Sequence, residues 1–470
     1  MSLIDKSNLL EYYENGQLET YKSFSIDSPN TFNFCDIEKK SVGGLPLVSY
    51  RKGENLQVTF TEDTHALVIG ATRSGKTTSF IIPTILLKGK QKQKDNMLIT
   101  DPKGELYTKC AESLRAEGYK IVLLNFRDYN NSECWNPLTP IFRKYQDMTN
   151  IENNISTLKD KGKYYNTFNK KVFQAQEELN REVERERAIL YKSIQDDIDN
   201  LAQKIITVEN KRDPYWELSS KELFKAFVYA MLEDSIKEQD NEHKITEDNF
   251  SFRTILDIYD TFNFETGNSI DRGYFSKRAK SSKAFALAKA TILANASNTR
   301  LCILSSFEAK MAPYRDVVAN LITSCNTFDF DSLILGNKPV AIFISYRDEI
   351  KTSYFVIQQY IVSVYTKLIE LANQNKNLCL ARPFYFILDE FGNFPKIQDF
   401  ENTISACGSR NIWFVLVLQS YAQLYNVYDS NIGEIIKDNL NMHIFMGTNN
   451  PLTKKAFSEE CGYKTIISPM

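Results

Sequence analysis

The sequence predicts an α/β fold on a mainly parallel sheet, interrupted in its middle third by a mainly helical insertion. Three observations carry this. A glycine-rich turn lies between an apolar run and a helix-compatible stretch at residues 66–82. Short apolar runs alternate with helical stretches in the first and last thirds of the chain, the pattern of parallel strands covered on both faces. Residues 171–208 switch to helical periodicity.

Ala66-Leu67-Val68-Ile69 reads as a strand and Thr78-Ser79-Phe80-Ile81-Ile82 as a helix start. Between them, Gly70-Ala71-Thr72-Arg73-Ser74-Gly75-Lys76-Thr77 fits G-x-x-x-x-G-K-[ST]. With strand before and helix after, this predicts a phosphate-binding loop. Its glycines let successive N–H groups turn toward phosphates, and the following helix N-terminus adds partial positive charge. Gly70, Ala71, Thr72, Arg73, Ser74, Gly75, Lys76, Thr77 and Thr78 would hold ATP, with Lys76 at the β and γ phosphates and the Thr77 hydroxyl on Mg²⁺. A plain glycine turn gives no reason for Lys-Thr to follow.

Asn96–Thr100 is the next strand, followed by Asp101-Pro102-Lys103-Gly104-Glu105, a helix to about Gly118 and a strand at Lys120–Leu124. Asp101 and Lys103 fit either the rim of a site or an ordinary strand-to-helix turn. From about Asn136 to Asp331 the texture changes. Val172, Leu179, Val183, Leu190, Ile194, Ile198, Leu201 and Ile205 trace one face of a long amphipathic helix, with a second helix from Tyr215 to Leu232. Strand, helix and strand return at Pro339–Ile344, a helix to about Leu371, Phe384–Asp389, Ile412–Leu418 and His443–Met446. The expected division is an N-terminal segment 1–50, a discontinuous nucleotide-binding domain 51–135 and 332–470, and an inserted domain 136–331.

The strand Phe384–Leu388 ends in Asp389-Glu390, which places two carboxylates where open α/β sheets bind ligands. Asp389 would hold Mg²⁺ through water, and Glu390 would orient and deprotonate an attacking water, as in ATPases. Gln419 closes the strand Ile412–Leu418, where its amide would sit beside the γ phosphate or simply stabilise the next turn. Arg410 precedes that strand and reads either as an arginine finger reaching a neighbouring subunit or as a surface arginine paired locally.

Composition bounds the alternatives. A chain of 470 residues is too long for one ordinary core. A net charge of −2 gives no global reason for nucleic-acid binding, so any DNA contact must be local. Eight scattered cysteines without a C-x-x-C pair, and three histidines, indicate neither a zinc site nor a disulfide framework, and a reducing cytoplasm is the simplest setting. No window approaches the roughly 20 apolar residues needed to cross a bilayer.

The phosphate loop, Asp101-Pro102-Lys103-Gly104-Glu105-Leu106, Trp135-Asn136-Pro137-Leu138, Leu388-Asp389-Glu390-Phe391, Ser409-Arg410-Asn411-Ile412 and Leu418-Gln419-Ser420-Tyr421-Ala422-Gln423-Leu424 together resemble the TraG/TraD-type coupling proteins of type IV secretion. The likeness runs from about Gly43 to Thr465 and rests on the order and spacing of six motifs. It implies a RecA-like P-loop NTPase domain with an inserted all-α domain, Mg²⁺-dependent ATP hydrolysis, and a homo-hexameric ring at the cytoplasmic face of the inner membrane. The partners it implies are relaxase-bound single-stranded DNA or protein cargo and the components of a type IV secretion channel. By the same resemblance Lys76, Thr77, Asp389, Glu390 and Gln419 take the roles proposed above, and Arg410 gains weight as the finger.

Relatives usually begin with two membrane-spanning helices, so a soluble variant or a form without its anchor, possible as a monomer, is expected here. DNA contacts would come from pore loops and from Lys277, Arg278, Lys280 and Lys283 in the insert, although such a cluster is more often a solvated helix face. The alternative is a nucleotide-gated docking platform that recruits relaxase or effectors with little motor activity, using 171–212 as its partner surface. A translocase of the FtsK/HerA group shares the core chemistry, but the Asp-Pro-Lys-Gly-Glu and Trp-Asn-Pro-Leu motifs argue against it.

Overall fold

A computed structural model of the chain describes residues 31–52, 55–151, 155–158, 163–166, 171–173, 176–208, 212–237, 244–261, 272–293 and 297–462. The chain divides into two compact units, one from Met1–Glu133 and Phe328–Met470, the other from Cys134–Thr327.

In the first unit, β1 (Thr31–Asn33), β2 (Pro46–Lys52) and β3 (Asn55–Phe60) form a small antiparallel sheet in the order β1-β3-β2. The boundary expected at residue 50 therefore falls inside a strand. The main sheet begins with β4 (Ala66–Ile69), β5 (Asn96–Asp101) and β6 (Lys120–Asn125). Three short strands of the second unit intervene, β7 (Ile155–Leu158), β8 (Lys163–Asn166) and β9 (Lys171–Phe173). The main sheet resumes with β10 (Val340–Ser345), β11 (Phe384–Leu388), β12 (Ile412–Leu418) and β13 (Met442–Phe445).

All seven main-sheet strands run parallel in the order β13-β4-β12-β11-β5-β10-β6. Alternation along each strand sends residues to opposite faces. Val68, Ile99, Phe343, Ile387 and Val417 pack with Ile81, Ile85, Leu106 and Leu114 of the helices that follow β4 and β5. Their neighbours Leu67, Leu98, Ile342, Phe386 and Phe414 are equally buried. On this second face Phe386 stacks on Phe414 with ring centroids 4.7 Å apart, and Phe400 meets Phe414 edge-on at 5.4 Å. Burial on both faces explains why these strands read as unbroken apolar runs.

The second unit is helical apart from the antiparallel sheet β7-β8-β9, which the all-α expectation did not include. The long helix is Gln176–Ile205; the expected start at 171 falls instead on β9, whose backbone pairs with β8. A three-residue end is too short for helical spacing to identify. Leu179, Val183, Ile194, Ile198, Leu201 and Ile205 are buried as their spacing requires. The helix Tyr215–Ser235 is enclosed almost all round, with Leu223, Phe224, Phe227 and Met231 fully buried. Phe227 packs edge-on against Phe275 at 5.2 Å and at a shallow tilt against Phe307 at 5.5 Å.

Candidate functional site

The strand order brings the C-terminal ends of β4, β12, β11 and β5 side by side, with β12 between the glycine-rich loop and the paired carboxylates. Residues 71–78, Asp101, Lys103, Asp389 and Glu390 line one cavity of about 440 Å³. This is the crevice position that open parallel sheets offer to ligands.

The loop is fixed at its base from two strands. Gly70 N–H donates to Leu418 C=O at 2.9 Å, and Ala71 N–H donates to Gly447 C=O at 2.7 Å. Arg73 and Gly75 both have positive φ, 67° and 87°, which folds the chain back on itself. At Gly70 the limit is space, because a Cβ there would lie 2.4 Å from Ser74 Oγ and 2.7 Å from Lys76 Cγ. The helix that follows starts with a wide turn over Thr77–Ile81, in which Ile82 N–H reaches Thr77 C=O, before regular helix Ile82–Lys90. Thr77 opens this helix, and the Thr78 hydroxyl donates to Gly75 C=O at 3.4 Å.

Lys76 is buried, and its ammonium donates to the carbonyls of Gly70 and Ala71. Burial pushes its pKa down, the charges of Glu390 and Asp389 pull it back up, and Lys103 lowers it further. Asp389 is also buried; enclosure, then the adjacent Glu390, push its carboxyl up to about 7 against the pull of Lys76. Its carbonyl accepts from Thr100 Oγ1 at 3.1 Å, and its Oδ1 accepts from Glu390 N–H at 2.9 Å. Glu390 sits in the left-handed region at φ 54°, a conformation costing a non-glycine residue about 1 kcal/mol or more. The strained turn lets two consecutive residues both face the cavity.

Gln419 joins the two halves of the site. Its Nε2 donates to Glu390 Oε2 at 3.1 Å, and its Oε1 takes a long contact of 3.5 Å from Thr72 Oγ1. Its own backbone is held by Gln423 Oε1, which accepts from Gln419 N–H at 2.8 Å, and by Thr448 Oγ1, which donates to Gln419 C=O at 2.9 Å. Thr100, Thr448 and Gln423 were not singled out from sequence. Gln423 stands four residues beyond Gln419 on the next helix, a readable spacing, whereas Thr100 and Thr448 become neighbours only through strand order.

Two sequence candidates stand apart. Arg410 lies before the N-terminal end of β12, so a seven-residue strand, roughly 20 Å, separates it from Gln419. Its Nη1 donates to Ala406 C=O at 2.7 Å, and it does not reach the cavity of its own chain. Arg278 is no free surface cation. Its guanidinium meets Asp234 at 2.6 Å and Glu233 at 3.2 Å, with the side chain only 5% exposed. The basic cluster expected there shrinks to Lys277, Lys280 and Lys283.

The donor set suits a magnesium-bound phosphate chain. The loop N–H groups and the Lys76 ammonium are donors of the kind phosphate oxygens take, while the Thr77 hydroxyl and the Asp389 carboxylate are hard oxygen donors of the kind Mg²⁺ takes. Among the described residues no cluster of three or more His, Cys, Asp or Glu side chains forms an all-protein metal cage, and none is needed where phosphates supply ligands.

Comparison with known proteins agrees with this architecture. Residues 22–468 match the family model described as type IV secretory system conjugative DNA transfer. Protein VirD4 of Rhizobium radiobacter is 20% identical over 411 residues, 86% of this chain but 49% of VirD4, so the chain spans about half the length of that relative. An uncharacterized protein of Bacillus anthracis is 44% identical over 54 residues, 12% of this chain and 20% of that protein. The plasmid coupling protein TrwB in complex with ADP and Mg²⁺ shares the fold with a TM-score of 0.55 at 15% identity, over 84% of this chain and 73% of that one. TrwBdeltaN70 in a trigonal form with sulphate gives 0.54 at 16% identity, over 85% and 74%. These likenesses establish a shared RecA-like fold. Among the described residues no helix is long and apolar enough to cross a membrane. With the family model matched along nearly its whole length, the chain belongs to the type IV secretory system conjugative DNA transfer family.

Proposed function

We propose that this chain is a magnesium-dependent ATPase that couples hydrolysis to delivery of single-stranded DNA, with its attached relaxase, to a type IV secretion channel. The observation that carries the reading is the convergence of Lys76, Asp389 and Glu390 on one cavity, with Gln419 from a third strand end bonded to Glu390. TrwB, which shares the fold, has been observed with ADP and Mg²⁺.

In this reading the loop N–H groups and Lys76 bind and orient the phosphates. Thr77 and, through water, Asp389 hold Mg²⁺, which when bound supplies positive charge to the β and γ oxygens. Glu390 orients the attacking water and accepts its proton. Gln419, tied to Glu390 and in contact with Thr72, holds that carboxylate at the cavity. Arg410 would act only on the site of a neighbouring subunit, which makes a ring, a hexamer by the family pattern, part of the proposal. A place at the cytoplasmic face of the inner membrane belongs to the same reading.

ATP turnover by the chain, measured with and without single-stranded DNA over a range of protein concentrations, tests it. Turnover that rises with DNA and climbs steeply with concentration supports a ring motor completed in trans. Tight ATP binding with turnover no faster than that of Glu390→Gln under every condition overturns the motor and leaves a nucleotide-gated docking platform.

A further inference from the structure

The turn that follows β5 carries a cation that the proposed mechanism does not use. Lys103 lines the cavity opposite the phosphate loop, is exposed, and makes no ion pair or hydrogen bond among the described residues. Glu105, two residues on, is paired instead with Lys109 at 3.1 Å.

The backbone beneath Lys103 is braced on several sides. Asp101, fully buried, accepts from Tyr107 N–H at 2.8 Å, and its carbonyl accepts from Gly104 N–H at 3.3 Å. Gly104 turns the chain with φ 74°. Arg127 reaches across from the loop after β6, its Nη1 donating to Pro102 C=O at 3.1 Å and to Tyr346 C=O at 3.0 Å. A braced turn thus presents an unpaired cation. Its place in the sheet sets which part of a ligand it meets. β5 neighbours β11, two strands beyond β4, so Lys103 lies on the Asp389–Glu390 side of the cavity. If Glu390 prepares water for attack on the terminal phosphate, that side faces the γ phosphate.

We propose that Lys103 is a second phosphate-contacting cation, set against Lys76 across the cavity, that distinguishes a nucleoside triphosphate from a diphosphate. The assignment rests on the phosphate-site reading above. It is tested by equilibrium binding of Mg²⁺ with a non-hydrolysable ATP analogue, and of Mg²⁺ with ADP, to wild type, Lys103→Ala, Lys103→Arg and Lys76→Ala. The expected result for Lys103→Ala is roughly tenfold weaker binding of the triphosphate, the low end for a charge-assisted hydrogen bond, with ADP affinity changed less than about twofold. Lys103→Arg should restore most of the difference, because the charge and reach remain. Equal losses for both nucleotides, or no loss, overturn the assignment while leaving the phosphate site intact. Failure of wild type to bind either nucleotide, or binding undisturbed in Lys76→Ala, overturns the phosphate site itself and this assignment with it.

Discussion

Arg278 in the inserted unit is enclosed but answered, with Asp234 at 2.6 Å, Glu233 at 3.2 Å and the Tyr274 ring 4.7 Å from its guanidinium carbon. Burial pushes the Asp234 carboxyl up, yet hydrogen bonds from Arg278 and Lys237 outweigh this and leave it below the usual carboxylate range. At the ends of β5 and β11 the outcome is reversed. Asp101 and Asp389 are equally enclosed, neither is in an ion pair among the described residues, and burial leaves both carboxyls above their ordinary values. The inserted unit neutralises this acid from within, as the nucleotide unit does its own Asp95 with Lys88 at 2.6 Å, whereas the acids at the ends of β5 and β11 lack a paired cation of the kind a bound metal ion would supply. Uncompensated charge in a cavity is the physical mark of a site, and compensated charge of a scaffold.

The largest test of this contrast lies at the uncompensated end. Glu390→Gln removes the proposed base while keeping its shape and its contact with Gln419. Turnover should fall by about 100- to 1000-fold with ATP affinity retained within a few-fold. Lys76→Ala should abolish both, as measured by steady-state hydrolysis alongside equilibrium binding. Similar residual turnover in wild type and Glu390→Gln would place the chemistry elsewhere.

At the compensated end, Arg278→Ala leaves Asp234 and Glu233 facing each other without their common cation. Breaking a buried pair from one side costs about 3 kcal/mol. The loss should appear as faster amide exchange in the helix Tyr215–Ser235, with ATP affinity unchanged. A large loss of ATP affinity with normal exchange would mean that this arginine serves the site after all.

His65 extends the comparison into the nucleotide unit, at the edge of the sheet away from the cavity. Its Nδ1 accepts from Phe414 N–H at 3.0 Å, which requires that nitrogen to be unprotonated. Burial pushes its pKa from 6.5 down to about 4, opposed by a bond to Ile404 backbone. Between those values the unfolded chain binds the extra proton and the folded chain does not. The stabilisation is therefore complete above pH 6.5 and is lost as pH falls toward 4, by about 3 kcal/mol. His65→Asn keeps an acceptor and should flatten the acid limb of a denaturation series; an unchanged slope would assign acid lability to other groups.

Much of this arrangement was legible in the chain. Ile69 running into Gly70, and Leu388 into Asp389, announce strand ends bearing phosphate and acid chemistry, because burial on both faces forces apolar runs and only their ends are free to be polar. What sequence could not supply was the neighbour relation. Nothing local says that β12 lies between β4 and β11, so nothing local ties Gln419 to Glu390 or Thr100 to Asp389. The same gap misread Arg278, whose sequence neighbours are lysines but whose spatial neighbours are acids 44 and 45 positions away. β1–β3 escaped notice because short antiparallel strands carry weaker patterns than runs buried on both faces.

The smallest expected effect concerns the turn beneath Lys103. Gly104 has φ 74°, and a Cβ there would lie 3.3 Å from Ser345 Oγ, so Gly104→Ala adds left-handed strain and a tight contact. The cost is about 1 kcal/mol in stability, read as a lower urea midpoint for the nucleotide unit. The functional consequence separates two accounts of the turn. If 101–104 merely joins a strand to a helix, the variant should bind ATP and ADP as wild type does once folded. If the turn exists to aim Lys103, small displacement of a rigid platform should weaken ATP binding by a few-fold while sparing ADP, a fainter copy of the Lys103→Ala result. The direction of that asymmetry decides the matter, since general destabilisation lowers the folded fraction equally for both nucleotides.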